Sequence, residues 1–291
     1  MILIAGGTGL LGGTIAREFL SGKSPVRILT RNPQNARKLQ DLGAEIVKGD
    51  MRDSSTLHAA LEGIKTVIST ANSFKGKGKT TIKTDSDGYK NLIDAAKEAG
   101  VEHFIYISAN VPKEFNKIDF FRYKTETEEY LKQSGIKYTI IRPTFFMDVW
   151  AQLIGVPLIK RGSTTIFGRG ENPINFISVE DVAKITIMSL NNKQNGNHVF
   201  SVGGPENLTL RQVADTFEQV TKKKGVRKFA FLPALRVMAF IMRLYSPLIS
   251  RQMRTAILMD TADLRFNSTE TQRSFPVKLL TLKDWIKKKY A

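Results

Sequence analysis

Met1-Ile2-Leu3-Ile4-Ala5-Gly6-Gly7-Thr8-Gly9-Leu10-Leu11-Gly12 is the stretch that decides the fold. An apolar run suited to a buried parallel strand meets glycines at Gly6, Gly9 and Gly12, and a helix-like segment from Thr14 to Leu20 follows at once. Strand, glycine turn and helix in that order are the context of a dinucleotide-binding turn. One glycine permits the tight backbone, a second lets a pyrophosphate approach the main chain, and a third lets the helix pack closely on the strand. The helix N-terminus then offers N–H groups and a positive dipole end to phosphates. Gly6, Thr8, Gly9, Leu10, Leu11 and Gly12 are therefore the first candidate cofactor contacts. The competing reading, a purely structural turn, explains the glycines but not the flanking strand and helix.

Working outward, Val26 to Thr30 reads as a second strand followed by Arg31. An acidic residue near this point usually holds the adenosine ribose hydroxyls and repels a 2′-phosphate. A guanidinium there pairs with that phosphate, so the reading favours NADP(H) over NAD(H), against a merely solvated arginine. A helix is expected from Pro33 to Leu42 and a third strand from Ala44 to Lys48. Asp50 is placed to reach the adenine amino group and Met51 to cover the ring, while Asp53 caps a helix from Ser54 to Leu61. The fourth strand, Lys65 to Ser69, ends in the small residues Ser69, Thr70 and Ala71, which leave room for a cofactor at its carboxyl end. Phe74 to Lys83, with Gly76, Gly78 and several lysines, reads as a mobile loop. A helix from Asp85 to Ala99 with Tyr89, Leu92, Ile93 and Ala96 on one face precedes a fifth strand, His103 to Ser108. A helix from Phe120 to Gln133 leads to a sixth strand, Tyr138 to Pro143.

This alternation predicts an α/β fold: a Rossmann-type doubly wound parallel sheet with a small C-terminal substrate-side subdomain. The whole of 1–291 is expected to form one NAD(P)-binding domain with a C-terminal extension. Residues 1–150 would be mainly Rossmann core, and 151–291 mainly substrate-side structure and basic tail.

Composition narrows the chemistry. The absence of cysteine excludes disulfides, thiolate metal sites and cysteine nucleophiles. His58, His103 and His198 are widely separated and form no ligand-spaced pair, so no metal is expected. The net charge is +17, and the sixteen Lys/Arg against four Asp/Glu from Thr221 to Ala291 account for +12 of it. Such asymmetry suggests an acidic partner for the tail, with membrane headgroups or nucleic acid as the physical candidates. The basic residues are scattered among apolar ones without a recognisable nucleic-acid motif, so no nucleic acid is expected. The chain opens directly on a strand and carries no apolar run near the ~18 residues of a spanning helix. The expectation is a protein without a leader segment, cytoplasmic or peripheral to a membrane.

The chemistry is expected on the helix after the fifth strand, which reads Phe120-Phe121-Arg122-Tyr123-Lys124. Short-chain dehydrogenases place Tyr-x-x-x-Lys there, because residues four apart share a helix face. The tyrosine handles the substrate proton, and the lysine holds the nicotinamide ribose and lowers the tyrosine pKa. Lys124 is in place, four before Glu128 with which it can pair, but Phe120 occupies the tyrosine position. Tyr123 would serve only if the local backbone were irregular. Ser108, at the carboxyl end of the fifth strand, is the third candidate catalytic side chain.

Four segments together, Gly6 to Gly12, Asp87 to Ala96, Gly100 to Ser108 and Ile140-Ile141-Arg142-Pro143, resemble the atypical short-chain dehydrogenases of the NmrA-like branch. Phe176 to Ala183 is similar to the segment by which extended members return to the core. The resemblance runs from Met1 to about Leu210. It implies NADPH-dependent reduction of quinones, flavonoids or tetrapyrrole vinyl groups, or else dinucleotide binding without turnover, as in redox-sensing regulators and assembly factors. The departure at Phe120 bears on which of the two applies.

Pro143 and Phe145 follow the sixth strand and are candidate cofactor contacts. Thr144 to Trp150 would line the mouth of the cleft, where aromatic residues suit a flat apolar acceptor or else pack as core. Leu232 to Met259 reads as two helices broken at Pro247, with Arg236 and Arg243 seven apart on one stripe. Two readings stand for it: a surface lying on an anionic membrane, or a lid over the substrate. The leading expectation is an NADP(H)-dependent oxidoreductase of a small apolar electrophile such as a quinone or carbonyl compound. The alternative is a non-catalytic dinucleotide-binding scaffold or sensor at a membrane complex.

Overall fold

The computed structural model describes residues 1–72, 74, 84–190 and 197–290. Gly76, Gly78 and the lysines of the expected loop lie outside the described residues. The chain forms two compact units that interleave in sequence. The first comprises Met1–Ala109, Phe120–Arg142 and Val182–Phe200, and the second Asn110–Asp119, Pro143–Asp181 and Ser201–Ala291. The chain thus changes units five times along its length.

In the first unit β1 (Ile2–Ala5) pairs in parallel with β2 (Val26–Thr30) and β4 (Thr66–Ser69). β3 (Glu45–Lys48) extends the sheet beyond β2, and β5 (His103–Ile107) and β6 (Lys137–Pro143) extend it beyond β4, all in parallel. With β10 (His198–Val202) at the far edge the order is β10-β6-β5-β4-β1-β2-β3. The order reverses between β1 and β4, and ligands of open α/β sheets sit at the carboxyl ends beside that point. The anticipated doubly wound sheet is therefore present, with His198–Val202 as a seventh strand beside the six.

Leu3, Ile4 and Ala5 are fully buried although they alternate between the two faces of β1. That is how a parallel strand covered by helices on both sides behaves, and why its sequence shows no polar alternation. The helix Leu10–Ser21 buries Leu11, Ile15, Ala16 and Phe19, one stripe at helical spacing. The helix Asp87–Glu98 buries Tyr89, Leu92, Ile93 and Ala96, the face expected, and Gly100 at φ +70° follows its end.

The segment from Pro33 is less regular than expected: a 3-10 turn Pro33–Ala36 runs into a short α-helix Arg37–Gln40. The Asn32 side chain accepts from the Gln34 amide at 3.1 Å. Only Ala36 and Leu39 are buried there, so little packing favours a longer regular helix. Similarly Ser54–Thr56 is 3-10 before the α-helix Leu57–Leu61, with Asp53 capping as expected by accepting from the Ser55 amide at 3.2 Å.

In the second unit β7 (Phe145–Phe146), β9 (Ile174–Ile177) and β11 (Glu206–Leu208) form a sheet in the order β11-β9-β7. β8 (Ser163–Phe167) pairs in parallel with β12 (Val226–Ala230). Asn175 ties this unit together: its Oδ1 accepts from Thr144 Oγ1 and the Gly204 amide, both at 2.8 Å, and its Nδ2 donates to the Gly204 carbonyl at 3.0 Å. The helix Leu210–Thr221 opens with a capping box between Thr209 and Gln212. The expected break falls at Pro247, which begins the helix Pro247–Thr261 just after the helix Leu232–Tyr245. Pro is tolerated there because the first helical amide has no intrahelical partner to lose. Arg251, 4% exposed, donates to both Asp119 carboxylate oxygens at 2.9 and 2.8 Å. Among the described residues no helix is long and apolar enough to cross a membrane.

Candidate dinucleotide and active site

The glycine turn is shaped by what stands behind it. Gly6 adopts φ +86°, and a Cβ there would lie 2.6 Å from the Ala71 nitrogen. A Cβ on Gly12 would fall 2.4 Å from the Gly6 carbonyl oxygen and 2.6 Å from Thr70 Oγ1. Both contacts are too close for any real side chain, so only glycine fits at 6 and 12. Gly9 is the roomier of the three, with its nearest contact at 3.1 Å. Thr70 braces the turn: its amide donates to the Ala5 carbonyl at 2.9 Å and its hydroxyl to the Gly6 carbonyl at 3.3 Å.

Thr8, Gly9 and Leu10 are exposed, and the helix Leu10–Ser21 begins without a side-chain cap or an acidic residue in its first turn. Its leading amides are open to an anion, with the helix dipole favouring one. The donor set fits a pyrophosphate.

Arg31 is exposed directly after β2, and its charge is one of those that lower the Asp50 pKa. The Asp50 carboxylate is held mainly by Arg52, whose Nε donates at 2.9 and 3.0 Å, so the oxygens expected to reach adenine already have a partner. Met51 is buried in the core cluster with Leu29 and Leu57, and its carbonyl accepts from Asn91 Nδ2 at 3.0 Å. Ser69 is fully buried: its hydroxyl donates to the Tyr89 hydroxyl at 3.2 Å, which in turn donates to the Ala71 carbonyl at 2.6 Å. Tyr89 thus fixes the end of β4, a role that its apolar helical spacing alone would not reveal.

Lys124 lies on the helix Asp119–Gln133 and is 8% exposed. Its ammonium donates to the Ile107 carbonyl at 2.8 Å, at the carboxyl end of β5. It stands 5.1 Å from the Tyr106 ring and 5.4 Å from the Phe120 ring. Burial brings its pKa down to about 8, with Asp85 and then Glu128 opposing. The expected pairing with Glu128 is replaced: Arg142 Nε donates to both Glu128 oxygens, at 3.0 and 3.1 Å. The physical reason is that a guanidinium fork matches a carboxylate in a bidentate way, while the lysine is drawn to a strand-end carbonyl.

The regular helix puts Phe120, four residues back, over the ammonium. Phe120 in turn packs edge-on against Phe74 and Phe121, each with ring centroids 5.0 Å away. Tyr123 is half-buried with the Arg122 guanidinium 5.2 Å from its ring centre, and the backbone irregularity that would swing it toward Lys124 is absent from this helix. Ser108 is buried, its amide donating to the Ile141 carbonyl at 2.8 Å.

Sequence reasoning did not assign roles to Asp85, Tyr106 and Arg142. Asp85 is 4% exposed and acts electrostatically on Lys124, Tyr89 and Tyr106. The available signal for Arg142 was a charge directly after the apolar Ile140-Ile141, whereas Asp85 stands among the polar residues Lys83, Thr84, Ser86 and Asp87 and gave none.

In the second unit Asn110, Val111, Pro112, Thr144, Phe145 and Asp263 to Arg265 line a cavity of about 240 Å³. Pro143 is buried, and its carbonyl accepts from the Asn110 amide at 2.8 Å. Phe145 packs between Phe115 and Trp150, with ring centroids 6.1 and 5.8 Å away, so it serves as core and as cavity wall together. The cavity mixes apolar walls with the hydrogen-bonding groups of Asn110 and Thr144 and the Asp263–Arg265 ion pair.

Comparison with known proteins agrees with this architecture. The chain is similar to photosystem II assembly factor Ycf39 of Cyanophora paradoxa, 32% identical over 220 residues that cover 76% of this chain and 68% of that protein. It is also similar to the NAD(P)H azoreductase of Xenophilus azovorans, 29% identical over 215 residues covering 74% of this chain and 71% of the relative. Among solved structures, the NADPH complex of an NADPH-dependent quinone oxidoreductase from Escherichia coli superposes with a TM-score of 0.80 at 20% identity, covering 100% of both chains. Homologues thus include NAD(P)H-dependent reductases, and structural relatives bind NADPH. Residues 1–270 match the NmrA-like family, well beyond Leu210, and the chain belongs to that family of NAD(P)-binding, Rossmann-type proteins.

Proposed function

We propose that the protein is an NADP(H)-dependent oxidoreductase acting on a small electrophile whose reduced form is a stabilised anion, with quinones as the leading class. The observation that carries this reading is the buried Lys124 ammonium, held on the Ile107 carbonyl in the same unit as an uncapped, glycine-led helix N-terminus. NADPH, when bound, supplies the hydride. Thr8, Leu10, Leu11 and Gly12 offer backbone amides to the pyrophosphate, and Gly6 together with Gly9, whose amide donates to the Gly6 carbonyl at 2.9 Å, shapes the turn that presents them. Arg31 takes the 2′-phosphate; Asp50, Thr70 and Ala71 border the adenosine side, and the buried Ser69 supports that edge through its bond to Tyr89. Lys124 holds the nicotinamide ribose hydroxyls. Pro143 and Phe145 are assigned to the nicotinamide and acceptor side.

Phe120 has no proton to give. An acceptor that becomes a phenolate-like anion needs no buried acid in the transition state, whereas a simple carbonyl does. Quinones and related conjugated acceptors therefore suit this site better than aliphatic ketones. Ser108, and less directly Tyr123, are the hydroxyls left to relay a proton.

The test is NADPH oxidation with a panel of quinones, azo dyes and aliphatic ketones, by wild type and Lys124→Ala. Turnover of quinones that Lys124→Ala reduces by about a hundredfold or more is expected. Tight NADPH binding with no turnover on the panel would instead favour the second reading, a dinucleotide-binding scaffold without catalysis. Phe120 at the tyrosine position is the observation on that side.

A further inference from the structure

The helix Leu232–Tyr245 buries only Leu235 and Ala239. At about 100° per residue, Val237, Ile241 and Leu244 fall within about 60° of one another on the opposite side. Val237 is 60% exposed and Leu244 81%. Phe240, at 74%, extends this face on one flank, and Met238 and Tyr245 extend it on the other. Phe231, immediately before the helix, is exposed as well. Contiguous exposed side chains of this size mark an interaction surface, since scattered single residues would carry no such meaning.

The charges beside it are all of one sign. From Gln219 to Met259 the sequence holds nine Lys/Arg and no Asp/Glu. Arg251, Arg254 and Arg227 are engaged within the protein, with Asp119, the Lys117 carbonyl, and Asp215 and Glu218 respectively. Arg236 and Arg243 are exposed, lie within about 20° of each other on the helix, and run along the flank between Phe240 and the buried side. Arginine on the flank of an inserted apolar face reaches the headgroup level by extending its stem.

From this arrangement we infer that the helix Leu232–Tyr245 docks the protein on an anionic lipid bilayer, with Val237, Phe240, Ile241 and Leu244 entering the acyl boundary and Arg236 and Arg243 meeting phosphate headgroups. The helix is too short to span a membrane, so the contact is interfacial. A second copy of the chain is a poorer occupant. A two-fold pairing of this face would set the same arginines against each other with no carboxylate in the segment to meet them. The inference does not depend on the cofactor or on turnover.

Co-sedimentation with vesicles tests it, using the full chain with phosphatidylcholine alone and with phosphatidylcholine and phosphatidylglycerol mixed two to one. Binding to the anionic vesicles, weakened by salt and small on the neutral ones, is expected. Each of Arg236→Gln and Arg243→Gln should lower partitioning about fivefold, and Leu244→Asp by about tenfold or more. These side chains are exposed, so the variants should keep the wild-type melting temperature. In Phe240→Trp the new indole should shift to shorter wavelength on binding and be quenched by lipids brominated on the acyl chain. Equal partitioning of wild type and Leu244→Asp, absence of binding at low salt, or a wild-type dimer that Leu244→Asp dissociates would each overturn the inference.

Discussion

Replacing Lys124 by methionine should make the protein more stable at neutral pH while removing its proposed hold on the ribose. Burial lowers the Lys124 pKa from 10.5 to about 8. Between those values the unfolded chain holds a proton that the folded chain has released, so unfolding takes up a proton and stability rises with pH across the window. At 1.36 kcal/mol per unit, that gap corresponds to about 3 kcal/mol. The penalty is fully present below pH 8 and fades toward pH 10.5. Methionine keeps the unbranched stem and the contacts with Tyr106 and Phe120 but forfeits the hydrogen bond to the Ile107 carbonyl, worth about 1 kcal/mol. Lys124→Met should therefore be about 2 kcal/mol more stable than wild type at pH 7 and about 1 kcal/mol less stable above pH 10.5, with a crossing near pH 10. Urea unfolding of both proteins at half-unit pH steps measures the difference, in which every other titrating group cancels. A variant that is less stable at pH 7, or a difference that does not change with pH, would refute the claim that the ammonium is held at a desolvation cost. Such a cost, retained in the folded protein, is what a group kept for binding is expected to show.

Other outcomes follow from the same geometry. Gly12→Ala should weaken NADPH binding by about tenfold or more and destabilise the fold by about 1–3 kcal/mol, because its methyl would meet the Gly6 carbonyl; fluorescence titration and thermal melting read the two effects. Arg31→Glu should reverse the coenzyme preference, raising the NADPH dissociation constant at least tenfold while leaving that of NADH within a few-fold. Phe120→Tyr, which restores a phenol four residues before Lys124, should raise reduction of simple carbonyls by about tenfold or more and leave quinone reduction nearly unchanged; steady-state rates on matched substrates decide it. Asp119→Ala leaves the buried Arg251 guanidinium without its carboxylate and should cost about 3–5 kcal/mol, measurable by urea unfolding, with Arg251→Met in the same chain recovering part of the loss.

What the sequence settles by itself is local and repetitive. The apolar run at Ile2 to Ala5, the glycines at 6, 9 and 12, and the alternation of strand and helix periods specify a doubly wound parallel sheet, because each reports on backbone geometry within a few residues. The i to i+4 relation of Phe120 and Lys124 is of the same kind, and the helix honours it with the ring 5.4 Å from the ammonium. The partners of buried polar groups are decided elsewhere. Lys124 is four residues from Glu128, yet its ammonium goes to a carbonyl 17 positions away, and Arg142 on β6 takes the carboxylate. Asp50, read as open to adenine, is bonded by Arg52 only two residues on. The exposure of Phe240 and Leu244 is likewise invisible in a helical pattern that is apolar on most sides. Periodicity says which residues share a face, but desolvation and competition among distant donors and acceptors decide which face is buried and which pair forms, and those depend on the folded chain as a whole.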